Sequence, residues 1–327
     1  MKRFIILLAL SLCVAGAQTD TSPLVYENLA APELPYASNY LEVSPAGYPA
    51  AQMHYLDTGN PEGGTLLLLH GQPTWSYLWR NVIPSLEAHA RIVAPDLIGM
   101  GLSDKPDVGY NFIDHASYLE AFIEELDLTD VTLVIHDWGS ALGFDYAYRH
   151  QDNVRAIAFM EALVAPVPSL EGVLPAFAEA LTAFRDPVAG RDALINQNVF
   201  IEQLMQQLTN APLSKEVLNA YRFPYPTPET REPLYQWPNQ IPVAGEPADT
   251  HARVAAYSPW LFETEIPKLQ LWVSPGLIGT EEVAVMLDEG MKNISTVYLG
   301  EGFHYVQESY PEAVGAAVAA WYQLISD

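Results

Sequence analysis

Short, continuous apolar runs recur along the chain, separated by stretches in which apolar residues repeat at helical spacing. Such runs are typical of strands buried on both faces, as in a parallel sheet. Together with two strand-like segments near the N-terminus, the predicted strands are Tyr40–Val43, Gln52–Asp57, Thr65–Leu69, Arg91–Ala94, Val131–Ile135, Val154–Met160, Leu269–Val273 and Ser295–Leu299. Alternation of strands with helices predicts an α/β protein with a mostly parallel, doubly wound sheet.

Apolar periodicity predicts the helices that connect these strands. An amphipathic helix is expected over residues 75–83, with an apolar face formed by Trp75, Leu78, Trp79, Val82 and Ile83. The other predicted core helices are Ala116–Leu126, a helix opening at Ser140, Thr250–Tyr257, Thr280–Gly290 and Pro311–Ile325.

The pattern changes between residues 165 and 247, where no buried strand is predicted. Helical stretches cover Leu174–Phe184, Gly190–Gln207 and Ser214–Tyr221, and a proline-dense run follows from Pro224 to Pro247. We interpret residues 165–247 as a helical cap inserted into the core. The core then comprises residues 18–164 and 248–327.

The first 17 residues resemble a signal peptide. Met1-Lys2-Arg3 supplies a basic start, residues 4–14 form a short apolar run, and Ala15-Gly16-Ala17 is an A-x-A cleavage site. Cleavage after Ala17 predicts a periplasmic or secreted protein. Cys13, the only cysteine, falls in this leader, so the mature chain has neither disulfide nor thiol chemistry.

Charge and hydropathy exclude several classes of partner. Fifteen Lys and Arg residues against 40 Asp and Glu residues give a formal charge of −25 in 327 residues. Such a surface repels nucleic acids and anionic lipids. Past the N-terminus no apolar stretch is long enough to span a bilayer, so we expect no membrane insertion.

The strand at Val131–Ile135 leads to the candidate chemistry. It continues into His136-Asp137-Trp138-Gly139, and a helix begins directly afterwards. A strand, a sharp turn and a helix form the setting of a nucleophile elbow, where the reactive residue stands at the carboxyl end of the strand. An aspartate there is commonly only a helix N-cap. As a nucleophile, it can instead displace a leaving group from an alkyl carbon and form a covalent ester.

Gln72, Asp137, Glu161 and His304 each follow the end of a predicted strand. Carboxyl ends of parallel strands meet at one edge of the sheet, where sites form. His304 follows the last core strand, the position of the base in chains ordered nucleophile, acid, base. The loop 274–279 that usually supplies the acid contains none, which leaves Glu161 as the candidate, although it is equally typical of a surface carboxylate.

Three motifs carry a resemblance to a known family. They are His70-Gly71-x-Pro73-Thr74-x-Ser76-Tyr77-Leu78-Trp79-Arg80-Asn81, Pro95-Asp96-Leu97-Ile98-Gly99-Met100-Gly101-x-Ser103 and His136-Asp137-Trp138-Gly139-Ser140-Ala141-Leu142-Gly143-Phe144. With the cap sequences Asn198–Glu202, Arg231–Leu234 and Pro238–Pro247, they resemble the haloalkane dehalogenases. The resemblance extends from about Tyr36 to the C-terminus, and Met160-Glu161 matches the subfamily whose acid follows the strand after the elbow.

This resemblance implies an α/β-hydrolase fold and hydrolytic dehalogenation without a metal or organic cofactor. Asp137 would be the nucleophile, and His304 would act as base with Glu161 as its acid. Trp138 and Gln72 would bind the halide, although the subfamily has Asn where this chain has Gln72. The implied partners are a small halogenated alkane, water and halide ion.

An apolar pocket should lie between the cap and the loop near residue 277. Its candidate residues, each of which could equally belong to the core, are Phe200, Trp237, Pro238, Leu181, Leu277 and Ile278. Two alternatives share the scaffold. An epoxide hydrolase would need cap tyrosines, for which Tyr221, Tyr225 and Tyr235 are available, and a coelenterazine-type luciferase-like oxygenase would share most of the motifs.

Overall fold

A single eight-stranded sheet organises the protein. The computed structural model describes residues 22–173 and 175–326. The strands are β1 (Ser38–Val43), β2 (Ala51–Gly59), β3 (Thr65–Leu69), β4 (Arg91–Pro95), β5 (Val131–Asp137), β6 (Val154–Ala162), β7 (Lys268–Pro275) and β8 (Ile294–Gly302). Their order is β1-β2-β4-β3-β5-β6-β7-β8, and only the pairs formed by β2, with β1 and with β4, are antiparallel. The predicted mostly parallel sheet is confirmed.

The central strands are buried on both faces, which explains their unbroken apolar sequences. In β3, Leu67 and Leu69 join the hydrophobic cluster on one side of the sheet, while Leu66 and Leu68 join the cluster on the other side. Alternate side chains of a strand point to opposite faces. One short leucine run therefore packs into the hydrophobic layers on both faces of the sheet.

Helices cover both faces of the sheet and form the cap. They are α1 (Phe112–Glu125), α2 (Trp138–Arg149), α3 (Pro175–Phe184), α4 (Ala189–Arg191), α5 (Met205–Gln207), α6 (Lys215–Arg222), α7 (Glu232–Gln240), α8 (Ala248–Glu263), α9 (Glu281–Gly290), α10 (Val306–Ser309) and α11 (Pro311–Ser326). No helix in the described part of the chain is both long and apolar enough to cross a membrane.

The helix predicted over residues 75–83 is wrong. Two 3₁₀ turns, Ser76–Trp79 and Ile83–Ser85, replace it. All four residues of the first turn are buried, so the segment has no solvent-facing side of the kind an amphipathic surface helix needs. Pro84 also cannot donate a backbone hydrogen bond.

Helices occupy most of the segment between β6 and α8, where the sequence predicts the cap. The helix predicted over Gly190–Gln207 is interrupted, because α4 and α5 flank two π-helical turns, Asp192–Asn196 and Phe200–Leu204. Between those turns the buried Asn198 has a φ of +50°, which a continuous helix does not allow. The proline-dense run contains an unpredicted helix, α7.

Residues 22–26, which we call the strap, lie along the cap. Backbone N–H groups of Leu24 and Tyr26 donate to the carbonyls of Asn196 (2.8 Å) and Pro226 (2.9 Å). The buried Arg231 guanidinium donates to the carbonyl of Leu24 at 2.9 Å. The predicted signal peptide, residues 1–17, lies outside the described residues.

Candidate active site

Asp137 stands at a strained turn between β5 and α2. Its φ is +49°, a conformation that costs a non-glycine residue about 1–3 kcal/mol. Two glycines make the close approach possible: a Cβ on Gly139 would lie 2.4 Å from the carbonyl oxygen of Leu69, and one on Gly71 would lie 2.1 Å from Asp137 Oδ1. Local crowding therefore fixes the carboxylate at the edge of the sheet.

The two oxygens of the Asp137 carboxylate have different partners. Oδ1 accepts a hydrogen bond from the backbone N–H of Gln72 at 2.7 Å, and Oδ2 lies 3.4 Å from His304 Nε2. Burial alone would raise the pKa of Asp137, but His304, His136 and the backbone N–H of Trp138 hold it below its ordinary value. The carboxylate is thus ionised, with one oxygen held by the backbone and the other directed at the histidine.

His304 lies between two carboxylates. Its Nδ1 donates to Glu161 Oε2 at 3.0 Å, opposite the contact with Asp137. Burial alone would lower the pKa of His304, yet hydrogen bonds and charge from Asp137 and Glu161 raise it to about 9. At neutral pH the resting site holds an imidazolium between two anions.

The loop after β7 explains why the acid follows β6. Backbone N–H groups of Leu277, Ile278 and Gly279 all donate to the Glu161 carboxylate, over distances of 2.9–3.2 Å. The loop contributes donors instead of an acid, and these donors satisfy a buried charge. The structure brings Glu161, His304 and Asp137 into one continuous array, in which His304 is hydrogen-bonded to Glu161 and ion-paired with Asp137.

Two buried histidines support the surrounding loops. His70 donates from Nδ1 to the carbonyl of Gly71, and its Nε2 accepts from the backbone N–H of Leu97. His136 Nε2 donates to the carbonyl of His304 at 2.9 Å. Burial lowers the pKa of both, that of His136 to about 3, so each is a neutral structural group.

Trp138 and Trp237 stack in the wall beside the nucleophile, with ring centroids 4.5 Å apart. Trp138 faces the cavity, and no described residue accepts a hydrogen bond from its indole N–H. The sequence predicts Trp237 at the pocket, but Trp237 does not line the cavity. It is fully buried behind Trp138, and its Nε1 points to Met100 Sδ at 3.3 Å.

Gln72 also lies at the cavity wall, but its side chain has a second partner. Nε2 donates to the backbone carbonyl of Leu234, in the cap helix α7, at 2.5 Å. The hydroxyl of Tyr305 donates to the carbonyl of Gln72 at 3.2 Å. One of the two amide N–H bonds of Gln72 is therefore directed at the cap.

A mostly apolar cavity of about 80 Å³ adjoins Asp137 and His304. Five of the predicted pocket residues line it: Phe200, Pro238, Leu181, Leu277 and Ile278. The lining residues that sequence reasoning missed are Phe177, Ala180, Phe184, Leu204, Leu208, Ile241 and Tyr305. Among these, Phe177, Ala180 and Phe184 share one face of α3 with Leu181. Their helical spacing is the sequence feature from which their place beside Leu181 could have been predicted.

A second cavity of about 580 Å³ continues from the same aspartate. It shares Asp137, Trp138 and Leu277 with the first cavity and extends between residues 162–168 and the start of α9. Its walls are mostly apolar. The described residues contain no group of three or more side chains suited to bind a metal ion.

Comparison with known proteins is consistent with this geometry. A family model described as the alpha/beta hydrolase fold matches residues 64–242. A haloalkane dehalogenase of Mesorhizobium japonicum is 40% identical over 271 residues, covering 82% of this chain and 87% of that protein. One of Sphingobium indicum is 42% identical over 280 residues, covering 83% of this chain and 91% of that protein.

A solved structure extends the likeness to three dimensions. The crystal structure of a haloalkane dehalogenase from Bradyrhizobium elkani superimposes with a TM-score of 0.84 at 37% sequence identity. The match covers 88% of this chain and 99% of that one.

Proposed function

The chain belongs to the haloalkane dehalogenases, which hydrolyse carbon–halogen bonds, and we propose that Asp137, His304 and Glu161 carry out this reaction. The observation that supports these roles is the array itself, in which His304 lies between the elbow carboxylate and a buried second carboxylate. The substrate is a halogenated alkane, and the products are an alcohol, a halide ion and a proton.

In the first step Asp137 attacks the carbon that bears the halogen. Oδ2 forms the new C–O bond, and the halide leaves with the electron pair of the C–X bond. Oδ1, held by the Gln72 N–H, becomes the carbonyl oxygen of the ester. The Trp138 indole N–H and the remaining amide N–H of Gln72 are the donors available to the departing halide.

In the second step water hydrolyses the ester. With Asp137 alkylated, His304 first loses its proton to solvent. It then takes a proton from water, and the resulting hydroxide adds to the ester carbonyl carbon. The tetrahedral intermediate collapses as its bond to the alkyl oxygen breaks; His304 returns the proton to that oxygen, the alcohol leaves, and the Asp137 carboxyl group that remains ionises. The backbone N–H groups of Gln72 and Trp138 stabilise the oxyanion that develops on Oδ1. Alkylation itself prepares the base, because it neutralises the carboxylate that helps to hold the pKa of His304 near 9.

Replacing the base tests this sequence of steps. We expect His304→Phe to release one halide per enzyme from butyl iodide and then stop, with one butyl group attached to the peptide that contains Asp137. His251→Phe, a histidine in α8 outside the site, is the matched control and should turn over repeatedly. Repeated turnover by His304→Phe, or halide release without an adduct on Asp137, would contradict the proposed roles.

The epoxide-hydrolase alternative lacks its acid groups. Tyr221, Tyr225 and Tyr235 do not line the cavity, and the hydroxyl of Tyr221 donates to Glu308. Tyr305 does line it, but its hydroxyl donates to the Gln72 carbonyl. We therefore expect halide release from ethylene dibromide and butyl iodide, without turnover of styrene oxide or light emission from coelenterazine.

We also propose that the enzyme acts in the periplasm or outside the cell. The basic start, the apolar run and the A-x-A site of residues 1–17 support this location. N-terminal sequencing of the protein from fractionated cells should find Gln18 as the first residue. Recovery of the intact leader in the cytoplasmic fraction would contradict export.

A further inference from the structure

The cap helix α7 contains a buried carbonyl that its own helix cannot satisfy. In an α-helix the N–H of residue 238 donates to the carbonyl of residue 234. Pro238 has no N–H, so the carbonyl of Leu234 loses that partner. Leu234 is fully buried, and an unpaired buried carbonyl is costly. This group requires a donor from elsewhere in the protein.

Gln72 supplies that donor from the core. Its Nε2 donates to the Leu234 carbonyl at 2.5 Å, while its backbone N–H donates to Asp137 Oδ1 at 2.7 Å. Gln72 is itself almost completely buried, so water does not compete for either bond. One residue thus contacts the nucleophile through its backbone and the cap through its side chain.

The position of α7 matters because the helix carries part of the site. Pro238 lines the small cavity, and Trp237 stacks on Trp138. Trp237 also stacks on His115, with ring centroids 4.0 Å apart. A shift of α7 would therefore move the cavity wall and the ring behind the halide-facing indole together.

We propose that Gln72 is a positioning and specificity-determining residue that fastens α7 to the halide side of the active site. The inference rests on the proposed function for its catalytic consequences, but the clamp is a property of the resting enzyme. Asn in this position would be shorter by one methylene, about 1.5 Å, and would not reach the Leu234 carbonyl. The amide has two N–H bonds, so one can hold the cap while the other faces the halide.

Two variants separate the effect of side-chain length at position 72 from the effect of its amide N–H donors. Gln72→Asn keeps an amide but loses the reach, whereas Gln72→Met keeps the length and loses both donors. Hydrogen–deuterium exchange of the resting enzymes should be at least about tenfold faster in α7 of both variants than in the parent. Exchange in α11 is the internal control and should not change, because α11 packs into the hydrophobic cluster on the other side of the sheet from Leu234 and Trp237.

Restoring the missing N–H provides the decisive control. Pro238→Ala supplies a donor at position 238, so the Leu234 carbonyl no longer depends on Gln72. In that background Gln72→Asn should change α7 exchange by less than about twofold. Unchanged α7 exchange in Gln72→Asn with Pro238 present, or an equally large effect with Ala at position 238, would overturn the clamp.

Kinetics distinguish positioning from halide binding. Gln72→Asn should raise KM for a long bromoalkane about tenfold while kcat stays within a few-fold, because a donor remains but the wall is loose. Gln72→Met should also lower the rate of halide release by about 10²-fold or more. Equal losses in KM and in the rate of halide release in the two variants would contradict the separation of cap positioning from halide binding. Failure of the proposed catalytic roles would leave the exchange results unaffected.

Discussion

Replacing Asp137 by asparagine should lower the pKa of His304, which tests the charge relationship at the centre of the site. The substitution removes a negative charge 3.4 Å from Nε2 while keeping the size of the side chain. It also reproduces the charge state of the alkylated enzyme, in which the same oxygen is part of a neutral ester. The variant therefore reports on the protonation of the base at the step where the base acts.

The magnitude follows from the balance of burial and charge. An increase in the pKa of His304 from 6.5 to about 9 corresponds to about 3 kcal/mol in favour of the protonated ring. Asp137 and Glu161 together supply this preference and also offset the cost of burial. Losing Asp137 removes one of the two neighbouring negative charges, so the pKa of His304 should fall by about one pH unit or more.

Nuclear magnetic resonance of ¹⁵N-histidine-labelled protein measures this directly. Titration between about pH 5 and about pH 10 should place His304 near 9 in the parent and below about 8 in Asp137→Asn. The resonance is assigned by its absence from His304→Gln, and Asp152→Asn, at an exposed position, should titrate like the parent. A pKa near 9 in Asp137→Asn would refute the proposed charge switch.

The same pKa predicts a trend in stability. Because the folded pKa of His304 exceeds its unfolded value of 6.5, its contribution is complete below about pH 6.5 and is lost as the pH rises through about 9. Between about pH 6.5 and about pH 9, the free energy of unfolding measured with urea should fall more in the parent than in Asp137→Asn. Identical losses in the two proteins would contradict the raised pKa.

Three further changes test other parts of the molecule. Glu161→Gln should slow hydrolysis of the alkyl-enzyme by about 10⁴-fold, measured by rapid quench and mass spectrometry, and a small effect would mean that another carboxylate supports the base. Trp138→Phe removes one halide donor and should slow halide release by about 10²–10³-fold, while parent-like bursts would exclude the indole from this role. Arg231→Met removes the guanidinium donors to the carbonyls of Leu24, Ile195 and Tyr225 and should lower the free energy of unfolding by about 3 kcal/mol or more. Arg191→Met, at an arginine whose side chain is 45% exposed, should change it little.

The edge of the sheet could be predicted from sequence because its determinants are local. Unbroken apolar runs locate the strands, and the few residues that follow each run must then lie at the common carboxyl edge. Gln72, Asp137, Glu161 and His304 all follow this rule. The lack of an acid in loop 274–279 also indicates Glu161 as the acid, and the backbone donors of that loop give the physical reason.

The cap could not be predicted as well because distant contacts decide its structure. The left-handed backbone at Asn198 and the helix across Pro238 both go against local propensity. Trp237 is an aromatic residue of the kind that often lines apolar pockets. Only its stacking on Trp138 and His115 shows that it lies behind the cavity wall. The second bond of Gln72 likewise joins residues 162 positions apart.

The strap has a consequence for the order in which the molecule is assembled. Leu24 is synthesised early, yet its guanidinium partner, Arg231, emerges 207 residues later. Tyr26 similarly waits 176 residues for the carboxylate of Glu202, to which its hydroxyl donates at 2.5 Å. Contacts of such long sequence separation form late, after the loops between them have closed. The cap is therefore held in part by a segment that is synthesised long before the cap itself. A cap transplanted into another protein would have to bring residues 22–26 with it.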